Sequence, residues 1–138
     1  MRLTEEETQS RLSSARVARL ATTGADGQPH LVPVTFAVDG DLIYTAVDHK
    51  PKTSANLRRL RNIQENPRVA LLADNYSDDW DLLWWARVDG WASVVEDKQS
   101  RQDPLDVLAD KYEQYREHRP AGPVVVIQVD RWKGWSST

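Results

Sequence analysis

Lys50-Pro51-Lys52-Thr53 is the segment of this sequence best suited to chemistry. Two ammonium groups and a hydroxyl stand just before a stretch with helical spacing, and Thr53 can cap that helix. A helix N-terminus carries unpaired N–H groups and partial positive charge, so the arrangement makes a cradle for a phosphate. From Lys50 to Arg68, six cations face Glu65 alone, a local net of +5 in a chain of net −3. Three of those cations, Arg58, Arg59 and Arg61, also suit an ordinary solvated helix face.

A second signal is Gly27-Gln28-Pro29-His30-Leu31-Val32-Pro33-Val34. Proline cannot donate to a β-ladder, so Pro33 requires an edge or a bulge, and irregular strand positions of that kind often face a ligand. The third signal is tryptophan. There are six, against one Phe and one Met, and Trp80, Trp84, Trp85 and Trp91 fall within twelve residues. A chain of 138 residues has too small a core to bury them all. Partly exposed Trp marks an interface or a ring-binding pocket, or is simply a surface residue.

Several chemistries are excluded or unsupported. With no cysteine there are no disulfides, thiolate nucleophiles or cysteine zinc sites. His30, His49 and His118 have no metal-ligand spacing, and GxGxxG, Walker, HExxH and GxSxG patterns are absent. No acid, base and nucleophile stand together. If the chain is an enzyme, a bound cofactor supplies the hard chemistry.

The elements that must hold these residues follow from pattern. Thr4 and Glu7 form a capping box ahead of a helix over residues 5–13. Strands are predicted over 16–22, 29–38 and 42–47, with turn residues at 24–27 and a hairpin signal at Asp39-Gly40. A helix over 54–65 ends at Asn66-Pro67, and a strand over 68–74 follows. Residues 82–95 read as one long strand. Its even positions (Leu82, Trp84, Ala86, Val88, Ala92, Val94) are apolar, and its odd ones include Trp85, Arg87 and Trp91. A helix over 102–117 and a strand over 124–129 complete the order. The expected fold is mainly β with peripheral helices: a six-stranded antiparallel barrel in a single domain, 1–138. The charged N-terminus has no apolar signal region and no run is long enough to cross a membrane, so the expected location is cytoplasmic.

Taken together, Arg19-Leu20-Ala21-Thr22, Asp26-Gly27-Gln28-Pro29-His30 and Val32-Pro33-Val34-Thr35-Phe36 resemble the pyridoxamine-phosphate-oxidase-like split β-barrel superfamily. Lys50-Pro51-Lys52-Thr53, the run from Asn56 to Ile63, Asn66-Pro67-Arg68-Val69, and Asp79-Trp80 with Leu83-Trp84-Trp85 look like its deazaflavin-dependent branch in actinobacteria, which uses coenzyme F420. The resemblance implies a homodimer with two cofactor sites at the interface. It carries phosphate contacts to Lys50, Lys52, Thr53 and Asn56, ring-facing backbone to Pro33, Val34 and Thr35, and the strand leading into the site to Thr45, Ala46 and Val47. Trp84, Trp85 and Arg87 are its candidates for the partner's contribution, and Trp132 and Trp135 for closing the pocket.

The implied reaction is hydride transfer from the C5 of a reduced deazaflavin to an electron-poor double bond of a small organic substrate. A proton then comes from solvent or a side chain, with His30 and Tyr44 as nominees. FMN is the alternative cofactor, because flavin-mononucleotide binders of the superfamily also use basic residues for phosphate. A cofactor-binding or sequestering protein without turnover is the non-enzymatic alternative. The chain is shorter than the pyridoxamine phosphate oxidases and lacks their C-terminal substrate segment, so pyridoxal phosphate synthesis is not expected. A nucleic-acid partner for the basic helix is disfavoured by the acidic remainder of the chain.

Overall fold

The spacing of Thr4 and Glu7 sets the first helix. The computed structural model describes residues 1–47 and 54–138, with side chains for all of these except 54–57. In it the Thr4 hydroxyl accepts from the Glu7 N–H, and the Glu7 carboxylate accepts from the Thr4 N–H. This capping box opens α1, Glu5–Ser14. The strands are β1 Ala18–Thr23, β2 Pro29–Val34, β3 Ala37–Asp39, β4 Leu42–Ala46, β5 Arg68–Asn75, β6 Trp84–Val95 and β7 Val124–Ser136. Helix α2, Ser54–Glu65, lies between β4 and β5. Helices α3, Lys98–Lys111, and α4, Glu113–Glu117, lie between β6 and β7. The two-residue turn from β3 to β4 uses Gly40 at φ 60°, a backbone that glycine adopts without strain.

All described strands form one antiparallel sheet in the order β2-β1-β5-β6-β7-β4-β3. The class is the expected one, but there are seven strands rather than six. The stretch read as one strand over 29–38 breaks at Thr35 and Phe36. There the Phe36 N–H donates to the Tyr112 hydroxyl at 3.1 Å, and Tyr112 Oη donates to the Phe36 carbonyl at 2.9 Å. These are the backbone groups a continuous ladder would have used. The halves pair at opposite ends of the sheet, β2 on β1 and β3 on β4. Three Cα steps of about 3.8 Å separate Val34 from Ala37. The two edges therefore meet at that corner, and the sheet curls into a split barrel with a seam there.

Other boundaries differ from expectation. The strand read over 82–95 begins at Trp84, and Leu82, expected on its core face, lies in a 3-10 turn over Trp80–Leu82 and is exposed. The helix read over 102–117 begins at Lys98, where the Asp97 carboxylate accepts from the Ser100 N–H. It breaks at Tyr112, which takes extended backbone (φ −116°, ψ 119°). The final strand continues to Ser136 because a bulge absorbs Asp130, with Asp89 opposite Arg131 but Gly90 opposite Val129.

The barrel encloses one core, including Leu12, Leu20, Phe36, Ile43, Leu71, Val88 and Ile127, all fully buried. Each such side chain stabilises by about 1.5–3 kcal/mol. The even positions Ala86, Val88 and Ala92 of β6 are buried, as the alternation required. On the outer face, Leu105, Leu108 and Tyr112 pack over Ala37, Tyr44, Ala46 and Val124, so α3 covers β3, β4 and β7. On the outer face of β2, β1 and β5, Leu31 remains 66% and Leu72 37% exposed. Among the described residues no helix is long and apolar enough to cross a membrane.

Candidate functional site

Two of the expected groups lie at strand ends flanking the β2–β3 crossover. Pro33 and Val34 end β2, and Thr35 begins the crossover. Across the seam, β4 ends with Thr45 and Ala46, followed by Val47. Ala37 faces Tyr44 in the β3–β4 register, and two more residues of that register would set Thr35 opposite Ala46. Thr45 and Ala46 are buried against Val125 and Val124, and the Val47 N–H donates to the Pro123 carbonyl at 3.0 Å. Among the described residues β2 pairs only with β1, which is the edge position Pro33 demands. The free side of β2 thus presents main-chain groups along the seam.

Lys50, Lys52 and Thr53 lie outside the described residues, and Asn56 is described only as backbone within α2. The rest of α2 docks through Asn62, which donates to the Thr22 hydroxyl at 3.1 Å, and Glu65, which accepts from the Ala25 N–H at 2.8 Å. Thr22 faces His30 in the β1–β2 register, so this docking sets α2 beside His30. Desolvation, then the nearby Arg58 and Arg59 charges, hold the His30 imidazole below its ordinary value. Arg58 also pairs with Asp26 at 3.7 Å. Among the described residues, His30 Nδ1 and Arg58 Nε are buried without a hydrogen-bond partner. Such atoms cost about 1–3 kcal/mol each until a polar group meets them. Local pattern did not reveal this basic corner, because it depends on one cross-strand pair and one helix-to-strand contact.

The other nominated proton donor, Tyr44, is committed elsewhere. It lies under α3 and donates to Asp39 at 2.9 Å; burial, then Asp39, push its hydroxyl up to about 12.

Trp84, Trp85 and Arg87 do not reach the seam within one chain. Pro33, Arg19, Leu72 and Arg87 align across four strands. At about 4.8 Å per strand, Arg87 stands about 14 Å from Pro33. Arg19, Leu31, Leu72, Asp74 and Arg87 line a shallow depression of about 380 Å³ on the uncovered face. The Arg87 guanidinium sits 5.5 Å from the Trp85 ring centre. Trp84 packs against the core and takes the Arg11 guanidinium at 5.3 Å, beside a groove of about 450 Å³ along α1. Trp132 also packs against the core, and Trp135 pairs with Trp85 in the β6–β7 ladder. None of the six Trp is fully buried. Among the described residues no cluster of three His, Asp or Glu could hold a metal.

The model of the pyridoxamine 5'-phosphate oxidase family matches residues 4–136. The chain belongs to that family. A FAD-binding protein from Mesorhizobium loti superposes with a TM-score of 0.75 at 21% identity, covering 97% of this chain and 95% of the other. A conserved hypothetical protein from Mycobacterium tuberculosis superposes at 0.73 with 26% identity, covering 98% and 86%. A 5a,11a-dehydrotetracycline/5a,11a-dehydrooxytetracycline reductase from Streptomyces rimosus is 39% identical over 57 residues, 41% of this chain. That match spans 39% of the reductase's own length. The two structural likenesses show the same fold over nearly the whole chain.

Proposed function

We propose that this member of the pyridoxamine 5'-phosphate oxidase family is an F420-dependent oxidoreductase. In this reading it works as a homodimer on a small unsaturated organic substrate. The observation that carries the reading is the seam. Pro33 and Val34 end an edge strand, Thr35 begins the crossover, and the β3–β4 register carried two residues further would set Thr35 opposite Ala46; among the described residues His30 Nδ1 and Arg58 Nε have no hydrogen-bond partner. An edge strand beside an unpaired guanidinium N–H fits a planar ring with an anionic tail. Lys50, Lys52, Thr53 and Asn56 would hold that tail, and Trp84, Trp85 and Arg87 would come from the partner copy. A reductase of a dehydro compound and a FAD-binding protein among the relatives support redox chemistry on a flavin-like group.

The bound coenzyme supplies the hydride. The chain's own share is orientation and exclusion of water. The backbone along the seam fixes the plane of the ring, and the basic groups fix the tail. Of the two nominated proton donors, His30 is the better placed. Tyr44 is bound to Asp39 under α3, whereas His30 stands in the basic corner beside Arg58. FMN would find the same phosphate cradle.

The test is a parallel titration with F420 and FMN, followed by tryptophan fluorescence. Saturable quenching by F420 and turnover of its reduced form with an unsaturated acceptor are expected. Tight FMN binding without F420 quenching would overturn the deazaflavin reading, and tight binding without turnover on any acceptor would favour a sequestering role.

A further inference from the structure

The α3–α4 elbow holds the β2–β3 crossover more firmly than a surface connection needs. Tyr112 Oη accepts from the Phe36 N–H at 3.1 Å, and it contacts the Phe36 and Arg16 carbonyls at 2.9 Å each. Three residues on, the Tyr115 hydroxyl shares a 2.7 Å hydrogen bond with Thr35 Oγ1. The two rings meet edge to face at 5.6 Å. The elbow is itself fixed. Arg116 donates to the carbonyls of Ala109 and Asp110 at 2.8 and 3.1 Å, and Arg16 donates to that of Lys111 at 3.2 Å. The Arg16 guanidinium also lies 4.7 Å over the Tyr112 ring. The carbonyls that end α3 are thus capped by side chains, and the turn cannot drift.

We propose that Tyr112 and Tyr115 are positioning residues of the seam site: by gripping Phe36 and Thr35 from behind, they set the main chain against which the cofactor ring lies. The inference rests on the reading of residues 33–35 as ring-facing. Its physical basis is that Thr35 and Phe36 belong to no ladder. With no strand partner to fix them, their φ and ψ are held by these two phenol hydroxyls. Ring recognition by backbone needs placement to within a fraction of an ångström. Tyr115 is only half-buried, so its hydroxyl can be removed at little cost to the fold. Tyr112 is buried, and its loss leaves three backbone groups without their partner.

The test uses the full chain with F420 and FMN as probes. Dissociation constants come from tryptophan quenching, and the absorption band of the bound cofactor is recorded for wild type, Tyr115→Phe, Thr35→Val, the double variant and Tyr112→Phe. Melting temperatures are measured without ligand. Tyr115→Phe and Thr35→Val should each weaken binding about five- to tenfold and shift the bound band. The double variant should lose no more than either single one, and the melting temperatures of these three should stay within a few degrees of wild type. Tyr112→Phe should weaken binding further and also melt lower. Wild-type affinity in Tyr115→Phe and Thr35→Val would overturn the positioning role while leaving the cofactor reading intact. Additive losses would also overturn it, since independent contacts need no shared hydrogen bond. A wild-type chain that binds neither probe would overturn the cofactor reading and this inference with it.

Discussion

Among the described residues the buried Nζ of Lys111 has no hydrogen-bond partner; it lies 3.9 Å from the centre of the Phe36 ring and 5.2 Å from that of Tyr112. Burial, then the Arg16 charge, push its amine from the ordinary 10.5 down to about 8. Between those values the unfolded chain holds the extra proton, so folding becomes more favourable as pH rises from 8 to 10.5. The favourable ring field and partial solvent screening limit the gain to about 1 kcal/mol. Lys111→Met should remove that slope and raise stability near pH 7, as urea denaturation at pH 7 and pH 9.5 would show. A slope retained by the variant would remove Lys111 as its source. At Gly90, an added Cβ would stand 2.6 Å from the Gln128 carbonyl oxygen and 2.8 Å from Ile127 Cγ2, neither of which can swing aside. Gly90→Ala should therefore cost about 1–3 kcal/mol in chemical denaturation. Lys52→Ala tests the phosphate cradle. Loss of a charge-assisted contact should weaken cofactor binding by about 1–3 kcal/mol in the fluorescence titration, and unchanged affinity would refute the assignment.

Local chemistry decided the elements that sequence made legible. Helix α1 follows from one capping box, α2 from its apolar spacing and the Asn66-Pro67 stop, and β6 from its alternation. Thr4→Ala should lower stability by about 1 kcal/mol in thermal unfolding, with the loss confined to α1. What stayed illegible depends on distant partners. Residues 29–38 alternate like one strand, and only Tyr112, 76 positions away, breaks them at Phe36. The helix read over 102–117 hides an elbow whose cause is that same side chain. Asp130 and Arg131 look like the end of a strand, yet a bulge carries β7 on to Ser136. The site was legible in the same uneven way. Pro33 announced an edge strand by its chemistry alone, but the place of His30 needs α2 to dock.

On the scale of the whole molecule, α3 covers one outer face of the sheet and leaves the other bare. The bare face carries Leu31, Leu72, Trp91 and Trp135, with Arg19, Asp74 and Arg87 among them. It holds both apolar area and charges of both signs, as a face for a second copy would. If the proposed dimer uses it, Leu31→Asp with Leu72→Asp should give a monomer by light scattering with an unchanged circular dichroism spectrum. A dimer that survives both substitutions would place the interface elsewhere.

The prolines of β2 also bear on how copies can meet. A strand with an open flank ordinarily invites another strand to dock and extend the sheet without limit. Here Pro29 and Pro33 withhold two of the amides that such an addition would need, and the opposite flank, β3, is three residues long and ends in Asp39. Neither flank can template a growing ribbon. Association is thereby steered from open-ended edge pairing toward closed contact through faces, and the proline that marks β2 as an edge also guards the protein against fibrillation.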